Sequence, residues 1–156
     1  MDPMKYMQEA LEEAKKAYAL GEVPIGAVLV FQGKVIARAH NCTEKTNNAS
    51  CHAELLCLQE GARLLGNWRL NGATLFSTLE PCPMCAGAMI HFRLGTLIYG
   101  ALDLRCGAVK SWMPILQTSH PIHQVQIEGG VLADESATLM RNFFKERRLE
   151  EYARNI

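Results

Sequence analysis

Residues 73–92, ATLFSTLEPCPMCAGAMIHF, decide the fold. Ala73 to Thr78 is an apolar run of strand length and reads as a buried strand. Pro83 then stands where a first helical residue would, because its fixed φ suits a helix start and its missing N–H would have no intrahelical partner there. Met84 to Phe92 continue as a helix. The PCPMC motif therefore falls at a strand-to-helix junction, with Cys82 and Cys85 three positions apart.

Upstream, Cys51 to Leu65 carries Ala53, Leu55, Leu56, Leu58 and Leu64 at mainly helical spacing, and Gly66-Asn67 supplies a stop. Ile25 to Phe31, the Gln32-Gly33 turn and Lys34 to Ala39 read as a two-stranded hairpin, followed by a polar turn or loop from Asn41 to Ser50. Before the hairpin, Asp2-Pro3 forms a cap and first-turn pair. Met4, Met7, Leu11, Ala14 and Tyr18 then mark an amphipathic helix that Gly21 ends, with Met4, Met7 and Leu11 as a core seam. Downstream, Thr96 to Ala101 is a strand, Leu102 to Pro121 an irregular stretch, Val125 to Glu128 a short strand, and Asp134 opens the last helix. Helices alternating with strands predict a single three-layer α/β/α domain over residues 1–156, with a central mixed sheet of about five strands.

The composition suits that reading. The chain has 156 residues, 49% hydrophobic and 21% charged, enough apolar material for one sizeable core. Sixteen Lys plus Arg balance sixteen Asp plus Glu, so bulk positive charge does not hold nucleic acid and any RNA contact needs a local patch. The opening MDPMKYMQEALEEAKK lacks an apolar stretch of signal-peptide length, and no run approaches the roughly 20 apolar residues that cross a bilayer. A cytoplasmic protein is expected, its six cysteines reduced rather than paired.

His52 and Glu54 in CHAE, with Cys82 and Cys85 in PCPMC, supply one imidazole, two thiols and one carboxylate near two helix starts. Helix N-termini favour thiolate over thiol. Zinc takes nitrogen and sulfur ligands tetrahedrally, and three protein ligands leave a fourth position for a water whose pKa the ion lowers toward about 7. Glu54 is two residues from His52, a spacing at which helical side chains do not share a face, so it is better cast as a proton shuttle than as a ligand. A CxxC pair also suits a closed structural zinc site or a redox pair, and in the closed alternative Cys51 is the leading fourth ligand.

CHAE with EPCPMC resembles the signature of the cytidine and deoxycytidylate deaminase superfamily. VPIGAVLV (23–30), TLEPCPMCAGAMIH (78–91), YGALD (99–103) and GGVLADESATLMRNFFKERR (129–148) extend the likeness, and across nearly the whole chain the sequence resembles the bacterial transfer RNA adenosine deaminases. That resemblance implies a cytidine-deaminase-like fold and a homodimer with one zinc per chain. It also implies deamination of the wobble adenosine to inosine in the anticodon loop of an arginine tRNA, by attack of zinc-activated hydroxide on C6 of adenine. Carried over by position, it implies His52, Cys82 and Cys85 as zinc ligands and Glu54 as proton shuttle. The Ala53 backbone N–H would help position the nascent hydroxyl, Asn41 would contact the base, and Asp103, Phe144, Arg147 and Arg148 would contact the RNA. Two departures stand out. Many members carry Asp-Pro-Thr-Ala before the zinc histidine where this chain has Asn48-Ala49-Ser50-Cys51, and some carry arginine where it has Leu102.

Plainer readings stand beside these. Cys42, Cys57 and Cys106 read as small buried hydrophobes, and His91 as a packing residue. Of the adjacent Phe143 and Phe144, about a quarter-turn apart, at most one is expected to face RNA. GGVLAD reads as a turn feeding a capped helix rather than a phosphate loop. Two other functions remain open at this level: a metabolic deaminase of a free nucleobase or nucleotide using the same zinc and Glu54, and a non-enzymatic zinc module that binds RNA through its last helix.

Overall fold

The strand expected at 73–78 is the centre of the sheet. In the computed structural model, which describes residues 1–156, the elements run α1 (Pro3–Ala19), β1 (Gly26–Phe31), β2 (Lys34–His40), α2 (Thr43–Thr46), α3 (Ala53–Leu65), β3 (Ala73–Leu79), α4 (Pro83–His91), β4 (Thr96–Ala101), β5 (Gln126–Glu128) and α5 (Ala133–Arg154). The sheet order is β2-β1-β3-β4-β5. β1 pairs antiparallel with both β2 and β3, whereas β3, β4 and β5 run parallel. All seven residues of β3 are buried, the mark of a strand covered on both faces.

Alternation along β1 assigns the two faces. Ala27 and Leu29 join Leu75, Leu97 and the buried sides of α3 and α4 in one core, while Val28 and Val30 meet Phe76, Ile98 and the Tyr6, Met7 and Ala10 face of α1 in the other. α5 lies against β3, β4 and α1, completing the expected α/β/α layers. α1 sits so close to the sheet that a Cβ on Gly26 would strike the backbone at Ala10 and Ala14. The hairpin turn has positive φ at both Gln32 (50°) and Gly33 (75°), the backbone twist that a two-residue connection needs.

Local signals set most boundaries. Asp2 caps α1 by accepting the Lys5 N–H, and Gly66, at φ 63°, closes α3. Several expectations need correction. Met4 is 54% exposed, because the buried face of α1 runs through Tyr6, Met7, Ala10, Leu11, Ala14 and Ala17. Leu64 is likewise exposed at the end of α3. The polar 41–50 stretch contains the one-turn helix α2, whose start is held by buried Glu22: its carboxylate accepts the N–H groups of Glu44 and Lys45 at 3.0 and 2.7 Å. α5 begins from Leu132 in the left-handed region with no side-chain cap, so the cap expected after GGVLAD is missing and Asp134 and Glu135 meet the helix dipole instead.

All six cysteines are free, as expected. Only Cys57 fits the buried-hydrophobe reading, however, since Cys42 is half-buried and Cys106 exposed. His91 is exposed at the end of α4 and has no packing role. No helix is long and apolar enough to cross a membrane.

Candidate functional site

Two helix starts meet at the carboxyl end of the central strand. His52 and Cys82 are the N-cap residues of α3 and α4, both with extended backbone, and Cys85 lies within the first turn of α4. One ligand atom from each of His52, Cys82 and Cys85 comes within 4.8 Å of the others. Nδ1 of His52 is 3.5 Å from Cys82 Sγ and 3.6 Å from Cys85 Sγ. A thiolate and an imidazole sharing one tetrahedral zinc, with Zn–S near 2.3 Å and Zn–N near 2.0 to 2.1 Å, would stand about 3.6 Å apart. The donor set and its spacing therefore fit the ion. Cys51 is outside this group and its carbonyl accepts the Cys42 N–H, so the three residues do not form a closed four-ligand site with it.

The electrostatics suit the same use. The Cys85 thiol donates to Cys82 and, against the cost of burial, it and His52 hold the Cys82 thiol down to about 4. Cys85 is pushed up by that same bond and by burial, as expected where two thiolates would otherwise face each other without a cation. The hydrogen bond to Cys82 raises His52 despite partial burial.

Glu54 is not one of the grouped ligands. The geometric reason differs from the helical-face argument: His52 lies outside the helix, in extended backbone, and Glu54 lies inside it. Glu54 is 3% exposed, its Oε1 has no hydrogen-bond partner, and burial pushes its carboxyl up to about 7. Asn41, 4% exposed at the end of β2, also has an unpartnered Oδ1. The neighbouring Cys42 N–H bonds the carbonyl of Cys51, which brings the Asn41 segment against the His52 segment. Ala53 is the first residue of α3, where a backbone N–H has no intrahelical acceptor.

The remaining predicted residues lie elsewhere. Phe144, Arg147 and Arg148 line a cleft of about 720 Å³ along α5, together with Arg105, Arg141 and Lys145. Phe143 is buried and Phe144 is half-buried against the Arg105 guanidinium, so one aromatic packs inward and the other borders the cleft. Arg147 is committed within the chain, stacked 4.8 Å from the Phe143 ring centroid and donating to the Gly21 carbonyl. Asp103 uses its carboxylate on its own turn, accepting the N–H groups of Arg105 and Cys106.

One residue of the EPCPMC stretch was assigned nothing from sequence. Glu80 is 1% exposed, and its carboxylate accepts the N–H groups of Asp103, Val109, Lys110 and Ser111 at 3.0, 2.9, 2.7 and 3.1 Å and the Ser111 hydroxyl at 2.5 Å. Burial raises its pKa, but these donors outweigh it and hold the carboxyl below its ordinary value. The available signal was a carboxylate just beyond a run read as a buried strand, a place where a charge needs several partners.

Comparison with known proteins agrees with this geometry. The MafB19-like deaminase family model matches residues 1–148. A tRNA-specific adenosine deaminase of Bacillus subtilis (strain 168) is 48% identical over 148 residues, 95% of this chain and 92% of the relative. A structure from work on A-to-I editing by tRNA:A34 deaminases at the wobble position superposes with a TM-score of 0.83 at 42% identity, covering 86% of this chain and 98% of the other. Guanine deaminase from Nitrosomonas europaea shares the fold, with a TM-score of 0.79 at 22% identity over 91% of this chain and 84% of that one. The chain belongs to the MafB19-like deaminase family, in the branch of the tRNA-specific adenosine deaminases.

Proposed function

We propose that this chain deaminates adenosine to inosine at the wobble position of a transfer RNA anticodon, with an arginine tRNA as substrate and residues 1–156 acting as one catalytic domain. The observation that carries the reading is the buried Glu54 carboxyl, its Oε1 without a partner, beside the His52, Cys82 and Cys85 group. Those three residues would hold zinc, which supplies a water acidified enough to act as nucleophile near neutral pH.

Glu54 does the proton work. A carboxyl raised to about 7 holds or releases a proton at the operating pH, so it takes one from the attacking water and gives it to a ring nitrogen of adenine, then takes a second from the new hydroxyl and delivers it to the departing ammonia. The free Oδ1 of Asn41 accepts a hydrogen bond from substrate, and the Ala53 N–H donates to the developing hydroxyl. An anticodon loop offers an unpaired base that costs little to turn into such a pocket. Arg105, Arg141, Lys145 and Arg148 supply the local basic patch that a chain of zero net charge needs, with Phe144 as a stacking surface. A homodimer is supported by Trp112, Met113 and Ile122, which are exposed in the irregular segment after β4. The proposed setting is the cytoplasm.

The test is incubation of zinc-loaded protein with a synthetic arginine anticodon stem-loop carrying a wobble adenosine, read as inosine after nuclease digestion. Inosine formed by the native chain and not by Glu54→Ala supports the reading. Failure to form it, or equally fast turnover of free adenosine, overturns the RNA assignment and favours a free-base deaminase.

A further inference from the structure

We infer that Glu80 is a positioning residue for RNA recognition, a buried latch that fixes the loop 102–111 relative to the metal-ligand turn. The inference rests on the RNA-editing reading above. Five backbone N–H groups of this loop donate to residues 80 and 81, immediately before Cys82. The Glu80 N–H bonds the Ala101 carbonyl at 2.8 Å, the Glu80 carboxylate gathers the four N–H groups and the Ser111 hydroxyl, and the Pro81 carbonyl accepts the Ala108 N–H at 2.7 Å. Gly107 lies directly against the carboxylate, where any Cβ would fall on it.

The loop is thus held by its backbone: Ala108 and Val109 turn into the core, while the side chains of its outer half, residues 102 and 104–106, are left free. Leu102, Leu104, Arg105 and Cys106 are all exposed, and the Arg105 guanidinium stands 5.8 Å from the Phe144 ring centroid at the basic cleft of α5. If the whole loop merely filled the core, residues 102–106 would follow Ala108 and Val109 inward. One carboxylate therefore ties three things together: the turn bearing Cys82, the loop bearing Asp103 and Arg105, and, through Arg105, the cleft. Moving the carboxylate shifts the loop against the metal site while leaving the mutual spacing of His52, Cys82 and Cys85, which is set by α3 and α4.

Glu80→Gln keeps the shape but turns one acceptor oxygen into a donor that faces N–H groups. Ser111→Ala removes a single bond to the same carboxylate. Zinc content, melting temperature, kcat and KM on the anticodon stem-loop would be measured for both. The latch predicts one zinc per chain and kcat within about threefold of native in each, with KM raised about tenfold or more in Glu80→Gln and about threefold in Ser111→Ala, the pattern of lost substrate binding rather than lost chemistry. A folded variant with KM unchanged and only its melting temperature lowered would show a purely structural staple and overturn the proposal, as would kcat and zinc falling together. Should Glu80→Gln fail to fold, Ser111→Ala decides alone. A native enzyme inactive on the stem-loop would instead overturn the functional reading, and with it the RNA role of the latch, whatever the variants do.

Discussion

Cys82 Sγ lies 3.5 Å from His52 Nδ1 although the two residues are 30 positions apart. Each caps the start of a different helix, and β3 carries the chain from one side of the sheet to the point where those starts meet. Cys85, one turn into α4, closes the group.

Zinc should bind at one equivalent per chain, and Cys85→Ser should reduce that to a small fraction while far-UV circular dichroism stays native, since serine nearly matches cysteine in size and shape. Because an ion that binds only the folded state stabilises it by about 4 kcal/mol at a thousandfold excess over Kd, chelation should lower Tm by roughly 8 to 16 °C in a chain of this size. Elemental analysis with a thermal melt checks both.

Glu54→Gln should keep zinc and fold but lower kcat by about 10² to 10⁴, the usual worth of a positioned acid-base group. Replacing a buried carboxyl that burial pushes up by a neutral amide should, if anything, raise Tm, because the desolvation of its charged form is no longer suffered. A melt and a single-turnover rate on the same sample separate the two effects. Equal loss of Tm and rate would count against the shuttle.

Lys145→Ala and Arg148→Ala should each weaken stem-loop binding without changing zinc content. If each side chain neutralises one phosphate, the slope of log K against log salt should shrink by about 0.7 to 0.9 per substitution. Titrations at several salt concentrations would show it. An unchanged slope would remove α5 from the interface.

Gly26→Ala should destabilise by about 1 to 3 kcal/mol, since the new methyl would strike the backbone of α1 at Ala10 and Ala14 and force the helix off the sheet. Urea denaturation measures this directly.

Thiol labelling should divide the cysteines. Cys106 is exposed and should react fastest with a maleimide, whereas Cys57, fully buried and with burial pushing its thiol up, should react only on unfolding. Mass spectrometry of tryptic peptides would read each site.

Much of this was legible in the linear chain because its causes are local. Asp2-Pro3, Gln32-Gly33, Gly66 and Pro83 set element ends through cap, turn and φ chemistry within a few residues. The ATLFST run at 73–78 marked the central strand by its strand length and absence of charge. CHAE and EPCPMC marked the candidate ligands that the fold groups, because zinc restricts the residue types that can hold it. What sequence could not contain were relationships between distant segments. Met4 and Leu64 have the apolar character of core residues but point away from the sheet, since the face a helix buries is chosen by what it packs against. Arg147 and Asp103 carry side chains able to hydrogen-bond RNA, yet the fold gives each a partner within the chain, at Gly21 and at the 105–106 turn. Glu80 shows the difference most clearly. In sequence it is one acid before a proline, and only the return of residues 103–111 from β4 supplies the five donors that allow its charge to be buried beside the metal-ligand turn.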